Sequence, residues 1–294
     1  MGHAARPRRS VLYMPGSNAR ALEKAKTLPA DALILDLEDA VAPDLKETAR
    51  GQVVEAAGSN AYGRREVAIR ANGLETSWGP DDIAAAAGSG SDAILLPKVE
   101  SAAMVKQAEA IMSANGAPDD QAIWCMMETP RGILHAEEIA GASPRIACLV
   151  MGTSDLTMDL HASHTALRLP MVTSLGLCLL AARAAGIGIV DGVHLDLEDD
   201  DGLEAACRQG LEFGFDGKTL IHPKQIAAAN RTFAPGQHEI AEAYAIITAF
   251  EDAQKAGKGV VVVDGQLIEN LHVEGAQRLI ALADAIAELE AASA

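Results

Sequence analysis

Two acidic residues occupy positions from which they could bind a divalent metal ion. Glu128 and Asp155 each follow a short apolar run, and one helix-length segment separates the two runs. If the runs are neighbouring parallel strands, both carboxylates lie at the same rim. Paired carboxylates without His or Cys favour a hard ion such as Mg²⁺, which keeps positions for water and substrate oxygens. The alternative is an acidic pair neutralised by Arg70 or Lys98.

Charged residues also follow other apolar runs. Arg70 ends one run and would bring an always-charged, bidentate donor to the same rim. Lys98 follows the next run and places a second cation beside it. Asp36, Glu38 and Asp39 follow an earlier run. These three carboxylates either pair with cations from neighbouring strands or reach a metal ion through water.

Two segments have the features of anion-binding sites. Gly152, Thr153 and Ser154 can present backbone N–H groups to a substrate carboxylate. The turn at residues 15–17 opens a predicted helix that carries Lys24, and a helix start with nearby cations suits phosphate. The alternative for this helix is a solvated face with no ligand.

The apolar runs themselves predict the fold. Most are four to six residues long and rich in Val, Ile, Leu or Met, as in strands buried on both faces. They are Ser10–Met14, Ala32–Leu37, Glu66–Ala71, Ala93–Leu96, Ala122–Met127, Ala147–Met151, Ile187–Asp191 and Gly217–Ile221. Helical stretches between them predict a closed (β/α)8 TIM barrel. The alternative, an open doubly wound sheet, would favour a Gly-x-Gly-x-x-Gly turn, and the sequence contains none.

The chain continues well beyond the eighth run. We predict a barrel over residues 1–235 and a C-terminal extension over residues 236–294. The extension has a predicted helix at His238–Ala256, a Gly-Lys-Gly turn, a strand-like Val260–Asp264 and an amphipathic helix from about Glu274 to Ala291. It can cap its own barrel or pack on a neighbouring subunit.

Composition narrows the classes of partner and compartment. The 294 residues carry a formal net charge of −17, and no basic face suggests nucleic-acid binding. No segment has the length of a transmembrane helix or of a secretory signal, so we expect no membrane partner. The four cysteines are widely spaced among apolar residues, which indicates buried thiols and a cytoplasmic protein.

Taken together, the strand ends resemble the HpcH/HpaI aldolase and citrate lyase β-subunit-like family of acyl-CoA enzymes. The matching segments lie in order along most of the chain. They are Arg9–Ser17, Leu35–Pro43, Ile69–Gly73, Leu96–Val99, Met127–Thr129, Met151–Leu156 and Gly214–Pro223. The resemblance implies a barrel enzyme acting on malyl-CoA or a close relative as its coenzyme A thioester.

The same resemblance implies roles for individual residues. Mg²⁺ would be bound by Glu128 and Asp155, and Arg70 would contact the reacting carbonyl or enolate. Lys24 would reach the coenzyme A phosphates. We add Glu38, Asp39, Gly152, Thr153 and Ser154 as substrate-binding residues. Family members are commonly trimers or multiples of trimers, so we expect a homo-trimer or hexamer in which the C-terminal segment closes over a neighbour's site.

The C-terminal segment departs from the family pattern at one place. Many lyases of the family have an Asp after the late Gly-Lys-Gly turn, where this sequence has Glu269. The surrounding pattern resembles a branch described as malyl-CoA thioesterase, which hydrolyses the thioester instead of, or after, carbon–carbon cleavage. We therefore predict Glu269 as a second catalytic residue.

Several functions stay open on the sequence alone. The same site could hydrolyse malyl-CoA to malate and coenzyme A, or cleave it to acetyl-CoA and glyoxylate. A citryl-CoA or citramalyl-CoA lyase, or the β-subunit of a multisubunit citrate lyase, is a second alternative. A non-catalytic acyl-CoA-binding barrel is a third, and it would tolerate loss of Arg70, Glu128 or Asp155, all of which are present.

Overall fold

The computed structural model describes residues 6–257 and 259–293. Its main feature is a closed barrel of eight parallel strands in sequence order, with the eighth paired to the first. The strands are β1 Ser10–Pro15, β2 Ala32–Asp36, β3 Glu66–Arg70, β4 Ala93–Leu96, β5 Ala122–Met127, β6 Ile146–Met151, β7 Gly188–Asp191 and β8 Gly217–Leu220. The predicted (β/α)8 barrel is confirmed, and each strand end lies within one residue of the predicted end.

Helices connect successive strands around the barrel. They are α1 Ala19–Ala25, α2 Lys46–Gly58, α3 Gly79–Ala86, α4 Ala102–Ala114, α5 Pro130–Leu134, α6 Ala136–Ala140, α7 Thr153–Asp159, α8 Val172–Ala185, α9 Asp200–Phe213 and α10 Ile226–Phe233. Short 3₁₀ turns occur at Pro43–Leu45, Leu169–Met171 and Pro223–Gln225. The α8 helix ends at Gly186, which has the left-handed conformation (φ 69°) that favours glycine.

Alternation along the strands separates two apolar cores. Inward-facing side chains such as Val11, Ile34, Leu95 and Trp124 fill the barrel interior. Outward-facing side chains of the same strands pack with the helices in a larger cluster. Because successive residues point to opposite sides, the last inward positions of several strands place polar side chains at the C-terminal mouth. The fold thereby gathers at one end groups that are far apart in sequence.

The C-terminal segment belongs to a second compact unit. The barrel unit covers Arg8–Phe233, and the other unit contains the described residues from Ala234 onward together with Arg6 and Pro7. The segment comprises α11 Gln237–Lys255, an antiparallel pair of β9 Val261–Val263 and β10 Gln266–Ile268, and α12 Asn270–Ser293. The last helix begins earlier than predicted. The predictions for residues 1–5, 258 and 294, including the middle of the Gly-Lys-Gly turn, lie outside the described residues.

The structure bears on two predictions, those for the cysteines and for membrane-spanning helices. All four cysteines are free and buried, as their apolar surroundings indicated. In the part of the chain that the structure describes, no helix is both long and apolar enough to cross a membrane.

A buried ionic cluster joins the last two strands to the loop before α8. The Asp191 carboxylate accepts hydrogen bonds from Lys218 Nζ at 2.9 Å and Arg168 Nη1 at 2.7 Å. Asp191 and Lys218 are fully buried. Burial alone would raise the pKa of Asp191, but the two cations outweigh it and hold that pKa below its ordinary value. The carboxylate therefore stays charged and pairs with both cations.

This cluster predicts a large loss of stability on removal of its anion. Asp191→Ala leaves the buried Lys218 ammonium without its partner, so the free energy of unfolding should fall by about 3–5 kcal/mol. Lys106→Ala breaks the half-exposed Lys106–Glu109 pair and should change it by less than about 1 kcal/mol. Urea unfolding of both variants measures the difference. Equal small losses would show that Asp191 does not hold the cluster together.

Candidate active site

A cavity of about 370 Å³ opens at the C-terminal end of the barrel. Its lining includes Arg70, Glu128 and Asp155, three of the residues singled out from the sequence. Gly152, Thr153, Ser154 and Asp39 also line it. The C-terminal face is where barrels of this type build their active sites. The fold thus brings most of the predicted site residues together around one cavity.

Arg70 is held in one orientation by Asp36. The last pairing between β2 and β3 sets Asp36 beside Arg70. The guanidinium donates from Nε to Asp36 Oδ1 at 2.6 Å and from Nη2 to Oδ2 at 2.7 Å. Asp36 also accepts the backbone N–H groups of Glu38 and Ala40. This carboxylate therefore fixes both the plane of Arg70 and the turn after β2.

Glu38 and Lys98 extend the charged network across the mouth. Arg70 Nη1 lies 2.8 Å from Glu38 Oε2, and Lys98 Nζ lies 3.2 Å from Glu38 Oε1. Lys98 Nζ also lies 3.4 Å from Asp155 Oδ2. Burial of Glu38, opposed by Arg70, raises its pKa above the usual value. The expected pairing of the carboxylates with cations from neighbouring strands is thus present, and Lys98 contacts one predicted metal ligand.

Glu128 is the most buried carboxylate of the predicted metal pair. It is 2% exposed, and its Oε1 accepts the Lys98 backbone N–H at 2.7 Å. Lys98 has a left-handed backbone (φ 48°), unusual for a side chain of its size. Burial first, and then the charges of Glu38 and Asp155, raise the pKa of Glu128 to about 7. Without a bound cation, this buried carboxylate is therefore costly to keep ionised.

The start of α7 forms one wall of the cavity. Gly152 packs so closely on Glu128 that a Cβ added to it would lie 2.4 Å from the Glu128 Cβ and Oε2 atoms. Ser154 Oγ is buried and has no hydrogen-bond partner among the described residues. Gly152 is therefore needed for close approach, and Ser154 has a donor to offer a ligand.

Other cavity residues were not identified from the sequence. Tyr13, Met126 and Thr219 line the interior, and Val193, Leu195 and Ile221 form an apolar side. The period-two alternation of β1, which also turns Val11 inward, would have pointed to Tyr13. Leu195 comes from a loop after β7, whose course no sequence pattern indicated.

Two predicted site residues of the barrel unit, Glu38 and Lys24, do not line the cavity. Lys24 is exposed in the last turn of α1. Glu269 is exposed in the C-terminal unit directly before α12, and its backbone N–H donates to His272 Nδ1 at 3.1 Å. Their roles remain predictions.

The donor set is compatible with Mg²⁺. Among the described residues no group of three His, Cys, Asp or Glu side chains is arranged to hold a metal ion. Mg²⁺ does not need such a cage, because one or two carboxylates suffice when waters and substrate oxygens complete the shell. The excess negative charge around Glu128 favours a cation there. Glu128 and Asp155 are the residues that would hold it.

The chain belongs to the HpcH/HpaI aldolase/citrate lyase family, whose model matches residues 9–223. It is 52% identical to a (3S)-malyl-CoA thioesterase of Cereibacter sphaeroides, covering 98% of both chains. It is 35% identical to an L-malyl-CoA/beta-methylmalyl-CoA lyase of the same species, covering 96% of both. A solved structure of CitE from Mycobacterium tuberculosis, in complex with magnesium, acetoacetate and coenzyme A, is 29% identical. That comparison has a TM-score of 0.76 and covers 96% of this chain and 99% of the other.

The raised pKa of Glu128 predicts that ionising this side chain lowers the free energy of unfolding of the metal-free protein. Folded Glu128 keeps its proton up to about pH 7, whereas the unfolded group loses it near 4.5, so stability falls as pH rises between these values. In EDTA at pH 8, Glu128→Gln should raise the free energy of unfolding by on the order of 1–3 kcal/mol. At pH 5 the gain should be small.

Unfolding by urea at both pH values measures this effect. Asp159→Asn is the matched control, because Asp159 is an exposed acidic residue of α7. As an exposed surface substitution it should change the free energy of unfolding by less than about 0.5 kcal/mol at either pH. A Glu128→Gln variant that is equally or less stable than the parent at pH 8 would contradict the proposed charge excess.

Proposed function

We propose that this protein is a Mg²⁺-dependent (3S)-malyl-CoA thioesterase, which hydrolyses its substrate to malate and coenzyme A. The observation that carries the proposal is the Asp36-oriented Arg70 guanidinium and the Glu128–Asp155 carboxylate pair lining one cavity. The high identity to the thioesterase along the whole chain supports this substrate. Relatives that cleave carbon–carbon bonds are less similar in sequence.

The chain's own residues have separable tasks in this reaction. Glu128 and Asp155 would bind Mg²⁺, which when bound neutralises charge on substrate oxygens. Arg70, already fixed by Asp36, donates to the thioester carbonyl oxygen as it becomes an oxyanion, so no reorganisation is needed at that moment. Gly152, Thr153 and Ser154 hold the distal carboxylate, with Ser154 Oγ as a free donor.

The remaining predicted residues have supporting roles. Asp39 faces the cavity and can contact the substrate, whereas Glu38 is already engaged by Arg70 and Lys98 and acts through them. Lys24 would bind coenzyme A phosphates, which lie far from the thioester, so its absence from the cavity lining is compatible with this role. We assign Glu269 to orienting water or moving the proton at the thioester's α-carbon.

We further propose that the extension acts between subunits of a trimer or hexamer in the cytoplasm. Residues 236–294 follow the barrel and are not needed to close it, so they are available to cover a neighbouring subunit's cavity. Four buried free thiols suit a reducing compartment.

Carbon–carbon cleavage of malyl-CoA to acetyl-CoA and glyoxylate is the second candidate. Arg70 favours it equally, because the enolate of the thioester carries its charge on the same oxygen. The citrate lyase β-subunit and the non-catalytic barrel are weaker candidates. The citrate lyase β-subunit needs an acyl-carrier partner. A non-catalytic barrel has no use for a carboxylate pair beside a fixed guanidinium.

The direct test follows both products from (3S)-malyl-CoA. With Mg²⁺ we expect free coenzyme A and malate, and we expect EDTA to abolish turnover and added Mg²⁺ to restore it. Glu128→Ala and Asp155→Ala should be inactive while keeping the circular dichroism of the barrel. Coenzyme A release can be measured with a thiol reagent and glyoxylate with phenylhydrazine.

Each result has a defined meaning in this assay. Glyoxylate without free coenzyme A would replace the thioesterase with the lyase. Full activity after chelation would remove Mg²⁺ from the proposal. Activity only on a carrier-bound thioester would favour the citrate lyase β-subunit.

Subunit mixing tests the role of Glu269. Arg70→Ala should lose roughly 10²–10³ in kcat, because it lacks a preorganised oxyanion donor. Glu269→Ala should lose roughly 10²–10⁴, because it lacks the acid–base carboxylate. Mixed oligomers should regain activity, because some sites then receive both parental residues from different chains. Co-expression with two affinity tags provides verified mixtures. Verified mixtures that remain inactive would refute action between subunits.

A further inference from the structure

The hydroxyl of Tyr13 donates its hydrogen bond to a weak acceptor. Tyr13 lies in β1 with its side chain turned into the barrel, and it lines the cavity. Its hydroxyl donates to the thioether Met126 Sδ at 3.3 Å. A thioether is a weak acceptor, so most of the hydrogen-bonding capacity of this hydroxyl is unused inside the site. This partly buried hydroxyl is therefore available to donate a stronger hydrogen bond to a ligand oxygen.

The ring of Tyr13 lies against the Arg70 guanidinium. Arg70 Cζ is 4.9 Å from the centre of the Tyr13 ring, a cation–π distance. Asp36 occupies one edge of the guanidinium and Glu38 lies beside another donor. A ligand oxygen that accepts from the remaining guanidinium donors enters the cavity beside the ring that carries the Tyr13 hydroxyl.

Tyr13 also keeps its proton under all working conditions. Burial, opposed by the Arg70 charge, raises the pKa of Tyr13 above its ordinary value. The hydroxyl is therefore a neutral donor and not a base. It differs in this respect from the carboxylates that surround the rest of the cavity.

We propose that Tyr13 is a further catalytic residue, whose hydroxyl donates a hydrogen bond to the same substrate oxygen that Arg70 contacts. The assignment rests on the proposed acyl-CoA chemistry of this cavity. During hydrolysis water adds to the thioester carbon, and its oxygen forms the new C–O bond as the C–S bond breaks. One proton of the water passes to the departing sulfur to give the coenzyme A thiol, and the other is lost from the new carboxylic acid of malate. Tyr13 keeps its proton throughout and stabilises the oxyanion together with Arg70.

Tyr13→Phe tests this role because it keeps the ring beneath Arg70 and removes only the hydroxyl. We expect kcat for (3S)-malyl-CoA to fall roughly ten- to a hundredfold, in keeping with the loss of one oxyanion donor. The affinity for oxaloacetate with Mg²⁺, measured by titration calorimetry, should fall by about tenfold. Oxaloacetate is a probe of the acid-binding cavity that needs no turnover.

Two further variants separate binding from structure. Tyr62→Phe removes a buried tyrosine hydroxyl elsewhere, which donates to the Leu22 carbonyl, and it should leave kcat and oxaloacetate affinity unchanged. Met126→Leu removes the thioether acceptor and leaves the Tyr13 hydroxyl in place. It should retain more oxaloacetate affinity than Tyr13→Phe. Thermal unfolding of each variant shows that the comparison is made on folded protein.

The outcomes distinguish this proposal from the proposed function. Parental kcat and oxaloacetate affinity in Tyr13→Phe would overturn the Tyr13 assignment. Equal losses in Tyr13→Phe and Met126→Leu would also overturn it, because the hydroxyl would then serve only Met126. A parental protein that fails to hydrolyse malyl-CoA refutes the thioesterase, whereas a selective loss of oxaloacetate binding in Tyr13→Phe still supports Tyr13 as a ligand donor.

Discussion

The bidentate pair between Asp36 and Arg70 is the constraint on which the rest of the site depends. Both residues end neighbouring strands, so the parallel pairing of β2 with β3 brings them together before any ligand arrives. Asp36 is 1% and Arg70 7% exposed, which makes their separation costly. The same carboxylate also holds the turn that carries Glu38 and Asp39. Arg70 is therefore positioned by the barrel itself, which is the condition under which a donor lowers a barrier most.

The site concentrates more negative charge than its own cations balance. Arg70 and Lys98 face Asp36, Glu38, Asp39, Glu128 and Asp155 around one mouth. In a metal-free protein this excess is borne chiefly by Glu128, because it is the most deeply buried of the carboxylates with little direct cation contact. The clustered carboxylates lower the stability of the metal-free protein. They favour binding of a cation, which in turn can bind an anionic substrate. Stability is supplied elsewhere, by the apolar barrel interior and by clusters such as Asp191 with Lys218.

The sequence predicted the barrel well because its signal is repeated. Eight apolar runs separated by helical spacing leave few alternative folds, and the rule that strand ends face the mouth then places Arg70, Glu128 and Asp155 at one rim. The sequence was less informative about contacts that depend on the backbone conformation of single residues. The left-handed conformation of Lys98, which directs its N–H to Glu128, has no marker in a run of ordinary residues. The loop that carries Leu195 was equally hidden, because loop paths are set by packing and not by periodicity.

Hydrolysis and carbon–carbon cleavage place the same demand on this barrel. Both develop negative charge on the thioester oxygen, so Arg70, Tyr13 and a bound cation would stabilise either transition state. The two reactions differ in the group that acts on the substrate. Hydrolysis needs a water molecule at the thioester carbon, whereas carbon–carbon cleavage needs a base at the substrate hydroxyl next to the bond that breaks. Asp36 and Glu38 are already engaged by cations, and Glu128 and Asp155 would hold the bound metal ion, which leaves Asp39 and carboxylates outside the barrel unit. We propose that Glu269, an exposed carboxylate before α12, determines which of the two reactions occurs.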